Sequence, residues 1–96
     1  MGYYTKFKLE ISDNKKLSEI TERVLEDTSY WISDTYSEEY KFYKSDEYFK
    51  GLSQEYSDIE ISLYGLGEDA DLPWKNVYKN GNKEEYSAEI KWVKSN

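Results

Sequence analysis

Carboxylates and phenols dominate the reactive side chains of this sequence: twenty Asp and Glu, eleven Tyr, and neither His nor Cys. The tightest acidic cluster is Glu68, Asp69 and Asp71, whose oxygens suit a hard cation such as Ca²⁺ or Mg²⁺. It lacks the regular loop spacing and distal bidentate Glu of an EF-hand, so a solvated acidic turn without metal is expected. Glu38-Glu39, Asp46-Glu47 and Glu84-Glu85 offer paired carboxylates, the raw material of acid–base catalysis. Adjacent residues diverge on a helix or a strand, so none of these pairs builds a dyad by itself. Gly65 and Gly67 match a phosphate loop only superficially, because a third glycine is missing and acids follow where donors are needed. They read as bend residues at a strand end. Without Cys or His there are no disulfides, thiolate nucleophiles or Cys/His zinc sites, and the usual general base near neutral pH is missing. The expectation is a protein that is not an enzyme and takes no cofactor or metal.

Charge is unevenly placed along the chain. Residues 17–71 hold fifteen acids against Arg23, Lys41, Lys44 and Lys50, a local net of −11, while both flanks are mildly basic and the whole is −7. Such a block repels nucleic acid and anionic membrane and attracts basic surfaces at long range. The apolar fraction of 38% is low, yet aromatics reach 18%, which separates this chain from disordered acidic sequences. Tyrosine must therefore supply much of the buried area, each buried phenol seeking a partner. No apolar run approaches the roughly 18 residues that span a bilayer. The opening Met1-Gly2-Tyr3-Tyr4-Thr5-Lys6 lacks a signal peptide's apolar stretch and, with Phe7 and Lys8 next, the serine or threonine of a myristoylation site. A soluble protein of the cytoplasm is expected.

Periodicity outlines the elements that must position these side chains. Over residues 3–11, Tyr3, Thr5, Phe7, Leu9 and Ile11 alternate with Tyr4, Lys6, Lys8 and Glu10, a half-buried strand. Ser12-Asp13-Asn14 breaks it and offers cap chemistry. Leu17, Ile20, Thr21, Val24, Thr28 and Trp31 then share a helical stripe, with Glu19, Glu22, Glu26 and Asp27 on the solvated side. Residues 33–39 read as a polar turn and 40–43 as a short strand. Ser45 reads as an N-cap with Asp46 and Glu47 in the first turn, ahead of an inner stripe of Phe49, Leu52, Ser53 and Tyr56. Ile59, Ile61 and Leu63 alternate with Glu60, Ser62 and Tyr64 in a second strand. Pro73 starts or edges the next, 74–78, and Asn80-Gly81 signals a type I′ hairpin. Tyr86, Ala88, Ile90 and Trp92 line one face of the last strand.

The chain is thus expected to be a single α+β domain over residues 1–96. Two helices pack on one face of a small, mainly antiparallel sheet, in a ferredoxin-like or split variant. Between residues 40 and 83 the sequence resembles a group of small phage and bacterial proteins of unassigned activity. The matching residues are Phe42 and Tyr43, Leu52-Ser53, Gly65-Leu66-Gly67-Glu68, Asp71-Leu72-Pro73-Trp74 and Tyr78-Lys79-Asn80-Gly81, with Gly2-Tyr3-Tyr4-Thr5 also fitting. The motifs of this resemblance are structural rather than catalytic. The resemblance implies this fold and a phage or mobile-element origin, and carries no mechanism.

Two functional expectations follow. The first is a non-enzymatic binder that occupies a basic surface of a host nucleic-acid-binding protein: an anti-defence inhibitor, such as an anti-CRISPR or anti-restriction protein, acting as a DNA mimic. Its contact residues would be Glu19, Glu22, Glu26, Asp34, Glu38, Glu39, Asp46 and Glu47, with Tyr36 and Tyr40 as anchors, and long-range attraction would speed encounter. Direct nucleic-acid binding is not expected from such a surface. The alternative is a small nucleic-acid or nucleotide-binding module on the sheet face, with Lys6, Lys8, Lys75, Lys91, Tyr4 and Tyr64. An exposed edge at the first or last strand offers a route to a homodimer.

Overall fold

Alternation of apolar and polar residues produces the first strand where the sequence predicts it. In the computed structural model, which describes residues 4–67 and 73–87, β1 spans Thr5–Ile11 and buries Phe7, Leu9 and Ile11. The Asp13 carboxylate accepts the Lys15 N–H at 3.1 Å and caps a 3₁₀ turn over Asn14–Lys16, which feeds α1, Leu17–Thr28. Ile20, Thr21 and Val24 form the buried stripe of α1. The helix stops at Ser29, a left-handed residue (φ 69°) whose N–H returns to the Leu25 carbonyl at 2.8 Å. The helical stripe therefore does not extend to Trp31, which is 51% exposed; its neighbour Ile32 enters the core instead.

Two further expectations are corrected before the next helix. Residues 33–37 are not a free turn. Ser33 accepts the Leu9 N–H, and Ser37 exchanges bonds with Phe7, giving its own N–H to the Phe7 carbonyl while its Oγ accepts the Phe7 N–H. This irregular run leads into β2, only Glu39–Tyr40, so the edge of β1 is covered and the first strand offers no dimerisation edge. α2 spans Ser45–Glu55 with Lys44 at the cap position, so Ser45 is its first helical residue rather than its cap. Asp46 and Glu47 do occupy the first turn, where the dipole favours them, and Phe49, Leu52 and Ser53 are buried.

β3 (Ile61–Gly67), β4 (Trp74–Lys79) and β5 (Asn82–Ser87) join β1 and β2, among the described residues, in a five-stranded sheet of order β2-β1-β3-β4-β5, every neighbouring pair antiparallel. β2 and β3 both oppose β1 and so run the same way with β1 between them, which makes β2–α2–β3 a split βαβ unit. The ferredoxin-like order is not confirmed. Asn80 (φ 48°) and Gly81 (φ 81°) form the two-residue turn between β4 and β5, both in the left-handed region as a type I′ hairpin requires. The acidic loop at Glu68, Asp69 and Asp71, and the later strand positions Ala88, Ile90 and Trp92, lie outside the described residues.

Phe7, Leu9, Ile61, Leu63 and Tyr78 face the same side of the sheet and form one core with Ile20 and Val24 of α1 and Phe49 and Leu52 of α2. Both helices thus cover one face. Each fully buried aliphatic or aromatic side chain contributes about 1.5–3 kcal/mol. Gly65 is not a bend at a strand end: it lies within β3, opposite Trp74, and the indole covers the place where a side chain would start. A Cβ on Gly65 would overlap Cε2 and Cζ2 of Trp74, which also meets Phe7 edge to face at 6.1 Å.

Gly65→Ala should therefore cost about 2–3 kcal/mol and lower Tm by roughly 10–20 °C in a thermal melt. The buried Thr21 hydroxyl has no hydrogen-bond partner among the described residues. Thr21→Val should leave the fold intact and raise stability by about 1 kcal/mol, measurable by urea titration.

Candidate functional site

The helices and the sheet present two surfaces of different chemistry. On the helix side, Tyr56 donates to Glu19 at 2.6 Å and Tyr48 donates to Asp27 at 2.8 Å, joining the start of each helix to the end of the other. α1 and α2 are therefore antiparallel. Between these links Arg23 binds Asp27 and Glu55, each at 2.8 Å. The Tyr48 hydrogen bond, with Arg23 beside it, holds the Asp27 carboxyl below its ordinary range. Burial and that same carboxylate push the Tyr48 phenol well up. Arg23, Glu47, Tyr48 and Glu55 line a shallow groove of about 430 Å³ between the helices.

The eight carboxylates predicted to meet a partner divide into two groups. Glu19 and Asp46 are used by the fold: Glu19 by Tyr56 and Lys16, Asp46 by Lys83, Lys50 and Tyr78. Glu22, Glu26, Asp34, Glu38, Glu39 and Glu47 are exposed, and their carboxylates have no bonded partner among the described residues. Glu22 and Glu26 flank Leu25, which is 40% exposed on the same outward stripe of α1. Asp34, Glu38 and Glu39 lie apart from them on the run that edges β1, where Glu39 is opposite Lys6.

The two anchor tyrosines separate as well. Tyr40 is half buried, its ring tilted against that of Tyr30 with centroids 4.5 Å apart, and its hydroxyl accepts the Trp31 N–H at 3.3 Å. Tyr36 turns away to the open face of the sheet, where the Lys8 ammonium lies 5.0 Å from its ring centroid.

That open face is organised by strand register. Lys8, Tyr64, Lys75 and Tyr86 stand directly opposite one another across β1, β3, β4 and β5. Lys8 lies 4.5 Å from the Tyr64 ring, and Lys75 lies 5.5 Å from Tyr64 and 5.4 Å from Tyr86. The sheet-face residues named from sequence, Lys6, Lys8, Lys75 and Tyr64, do share this face, and Tyr4 is exposed with Lys41 above its ring at 4.7 Å. Lys91 lies outside the described residues. Sequence reasoning missed Tyr36 and Tyr86 on this face. Tyr86 was within reach of the sequence, since a two-residue turn after Lys79 pairs residue 75 with residue 86.

Beneath the sheet, one polar cluster secures the hairpin. Tyr78, fully buried, donates to Asp46 at 3.0 Å and accepts from the Asn76 amide at 3.4 Å. Lys83 reaches Asp46 at 2.8 Å and Glu85 at 2.6 Å. Lys83 holds the Asp46 carboxyl below its usual range, and the two carboxylates raise the Lys83 ammonium in return. Burial pushes the Tyr78 phenol up to about 12.

Glu84 and Glu85 point to opposite faces, as adjacent strand residues must, so this pair builds no dyad. Among the described residues no group of three or more acidic side chains converges as a metal site would require, and no helix is long and apolar enough to cross a membrane. The fold and surfaces define a small α+β protein with an acidic helical layer and a lysine–tyrosine sheet face. Comparison of the chain with protein families, curated proteins and solved structures finds no match.

Tyr48 and Tyr78 keep their protons more tightly in the folded state than in the unfolded chain. Their contribution is complete below the ordinary phenol pKa of about 10 and is lost as pH rises beyond it. Thermal melts should show stability declining above about pH 10, with Tyr78→Phe giving a shallower decline than the parent chain. Equal slopes for the two proteins would show that Tyr78 does not carry this dependence.

Proposed function

We propose that this chain is a non-enzymatic binding protein that docks its acidic helix layer onto a basic surface of a host nucleic-acid-binding protein. The observation that carries this reading is the set of exposed carboxylates around Leu25 that have no ion-pair partner among the described residues: Glu22, Glu26 and, across the groove, Glu47. α1 holds four acids against Arg23 and α2 holds three against Lys50, a net of −5 over two helices that face away from the sheet. Carboxylates fixed on helices stand in for phosphates, an apolar side chain in their midst supplies desolvated contact, and the field speeds encounter. Asp34, Glu38 and Glu39 extend the negative potential around the β2 edge.

In its specific form the reading is an anti-defence inhibitor of phage or mobile-element origin, anti-CRISPR or anti-restriction in type, that competes with DNA. The resemblance of residues 40–83 to small phage and bacterial proteins supports that origin. A host cytoplasm is the corresponding location.

The test is capture from a bacterial lysate, followed by affinity measurement on the recovered partner. A basic nucleic-acid-binding protein should be retained, released by raised salt and displaced by duplex DNA. Glu22→Lys with Glu26→Lys should weaken its binding at least tenfold, about 1.4 kcal/mol or more, while Tyr64→Leu on the opposite face leaves it unchanged. Undiminished binding by the charge-reversed protein would sink the proposal.

A further inference from the structure

We propose that the open face of the sheet holds a binding site for a single nucleotide, its base stacked on tyrosine and its phosphate between the Lys8 and Lys75 ammonium groups. This goes beyond the helix-layer reading, using the other side of the sheet and a different kind of ligand. Lys8, Tyr36, Tyr64, Lys75 and Tyr86 line a cleft of about 380 Å³, bounded by Pro73 and Trp74 at the start of β4. That volume falls in the range of about 300–1,000 Å³ typical of small-molecule sites.

The charges in the cleft point to an anion. Lys8 and Lys75 are half buried, and neither has a carboxylate within ion-pair distance among the described residues. With so many acids among the described residues, two lysines on either side of Tyr64 that ion-pair with none of them are unusual company for a solvated surface. Their ammonium groups rest 4.5–5.5 Å from the centroids of three tyrosine rings, Tyr36 among them at 5.0 Å, which fixes their position without neutralising them. An arriving phosphate would find two placed cations and charge-assisted hydrogen bonds.

The aromatic groups point to a planar partner. Tyr86 donates to Glu84 at 2.7 Å and Tyr64 donates to Glu10 at 3.4 Å, so both phenols are tethered at their tips. Tyr36 and Tyr86 are 40% and 48% exposed, leaving ring surface on which a base can stack. Glu10 and Glu84 repel an anion at that rim, but their free lone pairs accept N–H groups of a base. The phosphate therefore belongs at the lysines and the base towards the rim.

Scale and net charge select one nucleotide over a strand. Two lysines offset about two phosphate charges, and the −7 of the chain opposes a polyanion at long range. Mutual packing of Lys and Tyr across strands accounts for their proximity, but not for the lack of an ion-paired carboxylate at either cation among the described residues.

Titration of the full chain with AMP, followed through its backbone amide resonances, tests the site. AMP should move the amides of Lys8, Tyr64, Lys75 and Tyr86 saturably at millimolar concentration. Adenosine and ribose 5-phosphate, the two halves of the ligand, should each bind about tenfold more weakly or worse. Lys75→Gln and, independently, Lys8→Gln should each weaken AMP about tenfold, the loss of one charged hydrogen bond, with melting curves confirming that both fold. Glu22→Lys on the helix layer should leave AMP binding unchanged. Absence of any AMP-dependent shift in the parent chain overturns the proposal, and so does equal binding of ribose 5-phosphate, which would mean a general anion patch. An oligothymidylate that binds more tightly than the mononucleotide overturns the single-nucleotide form and makes the face a strand-binding surface.

Discussion

A strand has two faces, and whatever pins one of them decides what the other displays. In the β4–β5 hairpin the pinned face is the inner one. The Tyr78 hydroxyl and the Lys83 ammonium meet at Asp46 of α2. The Gly81 N–H donates to the Ser53 hydroxyl of the same helix at 2.8 Å. Three attachments to one helix leave no freedom for a slip of one residue, which would exchange every side chain between faces. The position of Lys75 and Tyr86 outside is therefore set by buried contacts they do not touch. Asp46 is the hinge of this arrangement.

Much of the architecture was legible because it rests on local pattern. β1 alternates over seven residues, α1 carries a clean stripe from Leu17 to Val24, and Asn80-Gly81 sets a hairpin by backbone preference alone. What was not legible depends on partners distant in sequence. The run 33–37 has no period of its own, and its order comes from Phe7 and Leu9, some thirty residues earlier for Phe7 and Ser37. Trp31 continues the helical stripe in sequence, but a left-handed Ser29 ends the helix first and turns Ile32 inward. Gly65 looked like a bend because nothing nearby announces an indole arriving from another strand.

The candidate surfaces divide along the same line. Counting charge located the acidic block, yet sequence could not say that Glu19 and Asp46 are consumed by tyrosine, lysine and each helix's neighbour, or that Tyr36 and Tyr40 face different ways. The residues that remain uncompensated are fewer and better placed than composition implied. They fall on opposite sides of one thin layer: carboxylates around Leu25 on the helices, ammonium groups over tyrosine rings on the sheet. Each side keeps its sign because the core between them separates the two sets of charges.

The interior position of β1, between β2 and β3, also bears on how the chain is made. Leu9 pairs with Leu63 and Lys8 with Tyr64, so β1 waits for a neighbour more than fifty residues downstream. At about 5–20 residues per second that interval is roughly 3–10 s, during which Phe7, Leu9 and Ile11 have no sheet partner on that side. The β4–β5 hairpin, by contrast, closes through a two-residue turn within microseconds of emerging. Assembly of the nascent chain is thus gated by the arrival of β3, and an apolar strand must stay out of unwanted pairings until it comes.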